Sequence, residues 1–418
     1  MAQPALAGRT GDPAGAHTFS NADFNKINFD FPVVSGPYRL DGLRENVELR
    51  LARRGDWWQR RRPATRGTEN FERVVYRFYA EQENAFEAFK KGEIDLYPVY
   101  MSRLWNKDAT GEKFDRHWIV KQAVRTHRPL GFQGFVMNER RPPFDDLRVR
   151  QALAHLLDRE RMNRTLMYSA YFLHRSYFED LYDTAHPCTN AAYAFDPARA
   201  QKLLAEAGWA PNPQTGWLER NGRRLSFAFL TRDASSDKFL ALYAEDLKKA
   251  GIEFKIERKD AAAWSRDMDA FNFDMTWSSW SSGLFKDPED MWSSREADRP
   301  SGNNYAGFKD AGVDALIEKQ KSIFDIQERN QICREIDARI CANVPYILLW
   351  NIDNTRLLYW NTFGMPPTVL SKYGDERAAL AYWWYDADSA AELQAARGSG
   401  TTLPARPEVV DFDKVFKP

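Results

Sequence analysis

The stretch NERRPPFDDLRVRQALAHLLDRE, residues 138–160, decides how the rest of the chain is read. It opens on a Pro-rich turn, Arg140-Arg141-Pro142-Pro143-Phe144, where consecutive prolines disfavour helix. Asp145 or Asp146 then offers a side-chain oxygen to the free N–H groups of a first helical turn. Behind them Val149, Leu153, Leu156 and Leu157 fall on one face. That spacing predicts a long helix over residues 146–166.

Upstream, Val47-Glu48-Leu49-Arg50-Leu51 alternates with period two and reads as a strand. Val74 to Tyr79 is a second, rich in β-branched and aromatic residues. A helix over Asn84–Lys91 is stopped by Gly92, and Ile94-Asp95-Leu96-Tyr97 follows as a strand. Strand, helix and strand in succession place the chain in the α/β class. Downstream, Asp196 caps a helix with Pro197 at its first position and Gly208 at its end. Strands are expected at 225–230, 252–256, 344–350, 357–360 and 379–385, and helices at 240–250, 313–324 and 328–342. Residues 1–23 read as a disordered lead. After Asp386 an Ala/Gly/Pro-rich tail is expected to be peripheral.

The chain has 418 residues, enough for roughly two or three domains. Lys and Arg number 59, as do Asp and Glu, so no basic excess exists to neutralise phosphates. That balance weighs against nucleic acid as a partner. The nine arginines between Arg50 and Arg77 read as a solvated basic loop. Fourteen Trp, 17 Tyr and 27 Phe rule out wholesale disorder. No run approaches the roughly 18 apolar residues of a membrane span. The N-terminus lacks the basic start and apolar run of a secretory signal. Cys333 and Cys341 sit about 12 Å apart along one helical pattern, too far to bridge within it. With Cys188 they form no zinc-type spacing, and the six histidines show no metal-ligand spacing. P-loop, dinucleotide-binding, HExxH and GxSxG motifs are missing. The expectation is of no cofactor, no metal and no catalysis.

Segment 271–305 is the least ordinary. Strand-like Phe271 to Met275 runs into Thr276-Trp277-Ser278-Ser279-Trp280-Ser281-Ser282-Gly283. Asp287-Pro288-Glu289, Trp292 and Asn303-Asn304-Tyr305 follow. Flat apolar faces beside small hydrogen-bonding groups make a ligand-pocket wall. The plainer alternative is a core strand followed by a surface loop. Asp287 with Glu289 would also serve a glycosidase. A secreted carbohydrate-active enzyme with a Trp-lined cleft is therefore the rival reading.

Four segments in order carry a resemblance. They are Ser35-Gly36-Pro37-Tyr38 with the following strand and Trp57-Trp58; FEAFKKGEID over 86–95; Asn138 to Glu160; and DPARAQKLLAEAG over 196–208. The chain resembles the extracellular solute-binding proteins of family 5, the oligopeptide-, dipeptide- and nickel-binding subunits of ABC importers. It looks most like the large oligopeptide-binding branch linked to microcin uptake. The resemblance implies a periplasmic-binding-protein-like, class II, two-lobe α/β fold whose first lobe is incomplete, by truncation at the N-terminus. Residues 24–142 would be part of lobe I and 143–358 the ligand-binding lobe. Residues 359–386 would return a strand to lobe I, and 387–418 would form the tail.

The implied function is capture of peptides or peptide-like solutes, by a monomer, for permease subunits in a membrane. The full-length form would be periplasmic or at the cell surface; a non-functional fragment is the further alternative. Ligand-binding residues are expected at Trp264, Trp277, Ser278, Ser279, Trp280, Asp287, Asn303 and Asn304. Phe132 and Gln133 join them, since Gly131-Phe132-Gln133-Gly134 falls in a crossing-strand region of the resembled fold. Peptide-binding relatives place an acid shortly after the Trp-containing strand. The matching position falls near Gly283 or Leu284, and Asp287 matches the Asp/Glu-Pro position that follows.

Overall fold

A computed structural model of the chain describes residues 35–232 and 234–416; the lead expected over 1–23 lies outside them. The chain divides into a unit of residues 128–353 and a second unit built from the stretches on either side of it. The division falls at 127/128 and 353/354 rather than at 142/143 and 358/359. Strand Phe132–Met137 is interior to the sheet of the 128–353 unit, which draws the boundary upstream.

In that unit we number the strands of the main sheet β1 (Phe132–Met137), β2 (Ser226–Thr231), β3 (Glu253–Arg258), β4 (Met275–Trp280) and β5 (Tyr346–Leu348). Their spatial order is β3-β2-β4-β1-β5. β2 runs parallel to β3 and β4, while β1 is antiparallel to β4 and β5. The helices are α1 (Leu147–His155), α2 (Arg159–Leu166), α3 (Pro197–Glu206), α4 (Asp237–Lys249), α5 (Ala261–Asp269), α6 (Ala311–Lys321) and α7 (Ile326–Asn343).

Alternation along the strands divides the core. Phe135, Met137, Phe229 and Met275 pack with Val149 and Leu153 of α1, Leu203 and Leu204 of α3, and Leu240 and Tyr243 of α4. Phe132, Val136 and Leu230 point the other way, to Met268 of α5, Ile317 of α6 and Ile332, Ile336 and Ile340 of α7. Two helical layers therefore sandwich one sheet.

The opening stretch works as a knot of buried polar groups. Asn138 donates through Nδ2 to the carbonyls of Phe271 and Phe273, both at 2.8 Å. Arg140 donates to the carbonyls of Asn304 at 2.8 Å and Tyr305 at 2.9 Å, with its guanidinium 3.8 Å from the Phe271 ring. Arg150 holds the carbonyls of Phe144 at 2.6 Å and Asn343 at 2.9 Å. Arg159 holds those of His174 at 2.9 Å and Leu348 at 2.7 Å. Five-donor guanidinium groups can satisfy several buried carbonyls at once, which a lysine cannot do in the same planar geometry.

Asp146 caps α1, accepting from Arg148 N. The single helix expected over 146–166 is two: α1 ends at His155 with Leu156 as its C-cap, and Asp158 caps α2 by accepting from Arg161 N. Asp158 satisfies the free N–H groups of a new start, so its side chain favours the break.

Glu139 lies 3.4 Å from Arg150, yet its Oε1 has no partner among the described residues. Burial pushes its carboxyl up from 4.5 to about 7, against the opposing pull of Arg150 and Asn343. The fold thus favours the protonated acid. This residue supports the fold fully below pH 4.5, and that support is lost as pH rises through 7. Glu139→Gln should therefore flatten the stability–pH curve over that window. At pH 8 it should gain up to about 3 kcal/mol over the parent in urea unfolding. Parallel curves for variant and parent would refute this.

The other unit contains a four-stranded sheet ordered Val409–Asp411, Ile119–Arg125, Thr355–Trp360 and Leu96–Pro98. Thr355–Trp360 is buried along its whole length, with Leu358 and Trp360 in one core and Leu357 and Tyr359 in another. An antiparallel meander, Tyr38–Arg44, Glu48–Arg53 and Arg73–Arg77, precedes it. Helix Gln82–Lys91 ends on Gly92 at φ 87°.

Two expectations fail here. Residues 379–385 are not a strand: Arg377–Tyr382 is helical and only Trp384–Tyr385 pairs, with Phe363–Gly364. Ala378, Ala379, Leu380 and Ala381 lack β-branching and favour helix. Nor is the tail peripheral. Helix Ala387–Ser399, capped by Asp386, buries Leu393 and Ala396, and Val409–Asp411 pairs parallel to Ile119–Arg125.

Candidate functional site

β4 is the segment singled out by its Ser/Trp composition. It is an interior strand, paired from Met275↔Met137 to Trp280↔Phe132 along β1. Its pleat separates residues that the sequence reading grouped together. Trp277 and Gln133 belong to one face. There Trp277 Nε1 donates to Gln133 Oε1 at 3.0 Å, and the indole packs edge-on against Phe135, Phe239 and Trp350. Gln133 Nε2 also holds the Trp350 carbonyl at 2.8 Å. Trp280 and Phe132 belong to the opposite face. Trp280 Nε1 donates to the Tyr346 hydroxyl at 3.3 Å, and its ring lies 5.0 Å from that of Tyr305.

Beyond Trp280 the strand opens into Ser281-Ser282-Gly283, and a recess of about 170 Å³ forms beside Gly131 and Phe132. Its wall includes buried Phe132, Tyr177 and Trp292, locked edge-to-face or stacked. The Phe132–Tyr177 and Tyr177–Trp292 centroids are each 4.9 Å apart. Phe285 stands at its edge, 67% exposed. Lys286 is buried in the wall, but its charge is spent. Nζ donates to Asp180 at 2.6 Å, Ser282 Oγ at 2.8 Å and the Gly283 carbonyl at 2.9 Å. Three bonds use all three ammonium donors.

Asp287 differs. It is exposed, lines the recess, and among the described residues pairs with no cation; it accepts from Glu289 N at 3.1 Å. Glu289 by contrast is engaged by Lys321 at 2.8 Å and by Arg295. The recess thus joins an aromatic floor to one carboxylate without a counter-ion. It suits an apolar group beside a cation.

Of the expected residues, Phe132 and Asp287 line this recess. Trp280 pairs with Phe132 and precedes the lining residue Ser281 in the chain, without lining the recess itself. Half-buried Ser278 and exposed Ser279 are strand members opposite Gly134 and Gln133. Trp264, on α5, is half-buried with the Arg232 guanidinium 4.7 Å from its ring. Asn303 is exposed. Asn304 is buried and fully engaged, bonding the carbonyls of Ser293 and Phe308 and accepting from Phe308 N; its amide holds a loop together. Tyr177, Phe178, Asp180 and Lys286 were missed. Residues 176–181 carry no periodicity, and long-range contacts bring them to the recess: Tyr177 packs on Phe132 and Trp292, and Asp180 pairs with Lys286.

Among the described residues no three His, Cys, Asp or Glu side chains converge as a metal site, and no helix is long and apolar enough to cross a membrane.

The sequence pattern described as bacterial extracellular solute-binding proteins, family 5 middle, matches residues 2–302. A protein named "Probable peptide-binding protein YejA", from Agrobacterium fabrum, is 30% identical over 82% of this chain and 62% of its own length. The uncharacterized protein y4wM of Sinorhizobium fredii is 28% identical over 89% of this chain and 61% of its own. The chain therefore spans about three-fifths of the length of these relatives. Among solved structures, the oligopeptide-binding protein AppA from Bacillus subtilis, in complex with a nonapeptide, superposes with a TM-score of 0.69. It is 23% identical, over 84% of this chain and 66% of that one. That likeness establishes the binding-protein fold, in agreement with the α/β class read from the sequence.

Proposed function

The chain belongs to the bacterial extracellular solute-binding proteins of family 5, and on that premise we propose that it is the substrate-binding component of an ABC importer, capturing oligopeptides or peptide-like solutes. The observation that carries the reading is the recess at the end of β4, with its aromatic floor and its uncompensated Asp287 carboxylate. A peptide's terminal ammonium pairs with Asp287, a neighbouring side chain lies on Phe132, Tyr177 and Trp292, and the Ser281–Gly283 backbone bonds the main chain. Affinity from main-chain bonds and apolar walls tolerates many side chains. Trp264, Trp280, Ser278 and Asn303 extend the wall, while Ser279 lies on the opposite face of β4. The unit outside 128–353 corresponds to part of the first lobe. The protein works as a monomer outside the cytoplasmic membrane, hands its ligand to permease subunits, and carries out no catalysis. The hydrolase alternative is weakened by the capture of Glu289 by Lys321 and Arg295.

Calorimetry with a peptide library tests this. Free peptides should bind. Asp287→Asn should weaken them about 10- to 100-fold, the worth of one hydrogen bond to a charged group, and leave N-acetylated peptides unaffected. Heat with another solute class and none with any peptide would overturn the proposal.

A further inference from the structure

We propose that Cys188 and Cys341 are a disulfide-forming pair, joined when the protein meets an oxidising thiol–disulfide environment. This rests on the geometry of one loop and one helix, not on the nature of the ligand.

Both sulfurs converge on one backbone oxygen. Cys188 Sγ and Cys341 Sγ each lie 3.7 Å from the Arg175 carbonyl, so their separation is at most twice that distance. Asn190, two residues beyond Cys188, places its amide 3.5 Å from Cys341 Sγ. Cys341 is fixed on α7 and Cys188 lies in an irregular segment, so closure needs movement only on the Cys188 side. Cys333, two helical turns before Cys341, is occupied elsewhere, with Gln320 Nε2 2.8 Å from its sulfur.

The bond would repeat in covalent form a connection already made by hydrogen bonds. One turn before Cys341, Asp337 accepts from Ser176 Oγ at 2.6 Å, Tyr177 N at 2.9 Å and Asn190 Nδ2 at 2.5 Å. Those bonds bind the 175–190 segment to α7. The same segment supplies Tyr177, Phe178 and Asp180 to the recess and its Lys286. A 188–341 bridge would hold the recess wall in place whatever enters it.

The chemistry is exchange with a small-molecule or protein disulfide. Cys188 is the more accessible of the two and its thiolate attacks the oxidant, releasing one thiolate and leaving a mixed disulfide. Cys341 then displaces the second half. The two cysteines lose two electrons and two protons, and the oxidant becomes two thiols. Burial raises both thiols above the usual cysteine range, so exchange is slow at neutral pH.

The test is the purified full chain, incubated folded with oxidised glutathione at mildly alkaline pH. The mass should fall by two hydrogens, and a peptide map should link Cys188 to Cys341. The melting temperature should rise by on the order of 5–10 °C, reversed by reductant. Cys188→Ser and Cys341→Ser should each abolish the shift, and Cys333→Ser should retain it. Free alkylation of both thiols after oxidation, glutathione retained on Cys188 alone, or a bridge to Cys333 would each overturn the assignment.

Discussion

Gly131→Ala should unfold the 128–353 unit or lower its stability by at least about 3 kcal/mol, beyond the usual range for one added methyl. A methyl at Gly131 would run into the Trp280 carbonyl oxygen and lie 2.9 Å from its carbon and 3.0 Å from Ser281 Cα. All three atoms are backbone, so no side-chain rotation relieves the contact. The strands must part at the Phe132↔Trp280 end of their register, the corner where the recess begins. Gly134→Ala is the graded control, meeting the Ile347 carbonyl oxygen at 2.9 Å and next the Tyr346 side chain at 3.2 Å. Urea unfolding followed by tryptophan fluorescence reads both. A parent-like midpoint for Gly131→Ala would refute the close approach of the two strands.

Asp337→Ala should cost about 3–5 kcal/mol. The carboxylate is buried and accepts from Ser176, Tyr177 N, Tyr182 and Asn190. Truncation leaves four donors without their acceptor, three of them in buried bonds. Asp337→Asn retains one acceptor oxygen and should lose less than half as much. Because Tyr177 belongs to the recess floor, Asp337→Ala should also weaken any ligand held there, at a urea concentration where both proteins are folded. If alanine and asparagine variants were equally stable, the polar knot would not be what fixes this segment.

The elements legible in the sequence are those whose signals are local. Asp196, Pro197 and Gly208 mark helix ends because caps and positive-φ residues act within one turn, and Gly208 does adopt φ 85°. The break at residues 156–158 was hidden because Leu156 and Leu157 continue the apolar face of α1 while Asp158 starts α2. The strand character of Val409–Asp411 depends on a partner, Ile119–Arg125, far away in sequence. The site was legible in part. Trp and Ser on β4 drew attention to the right strand, and Asp287 to the right loop. Adjacent strand residues face opposite ways, however, so Trp277 and Gln133 could not share a surface with Trp280 and Phe132. The Asp180–Lys286 pair and the floor residue Tyr177 come together through long-range packing alone.

The sheet outside 128–353 is stitched from segments far apart in sequence: Ile119–Arg125 is flanked by Thr355–Trp360 and by Val409–Asp411. A ribosome making this protein must synthesise the whole intervening unit before the first neighbour exists, and about fifty residues more before the second. Until then the nascent segment has both edges open. Such a molecule stays unfinished in that half late into translation, a window in which its open strand edges are exposed to wrong pairing or to chaperones.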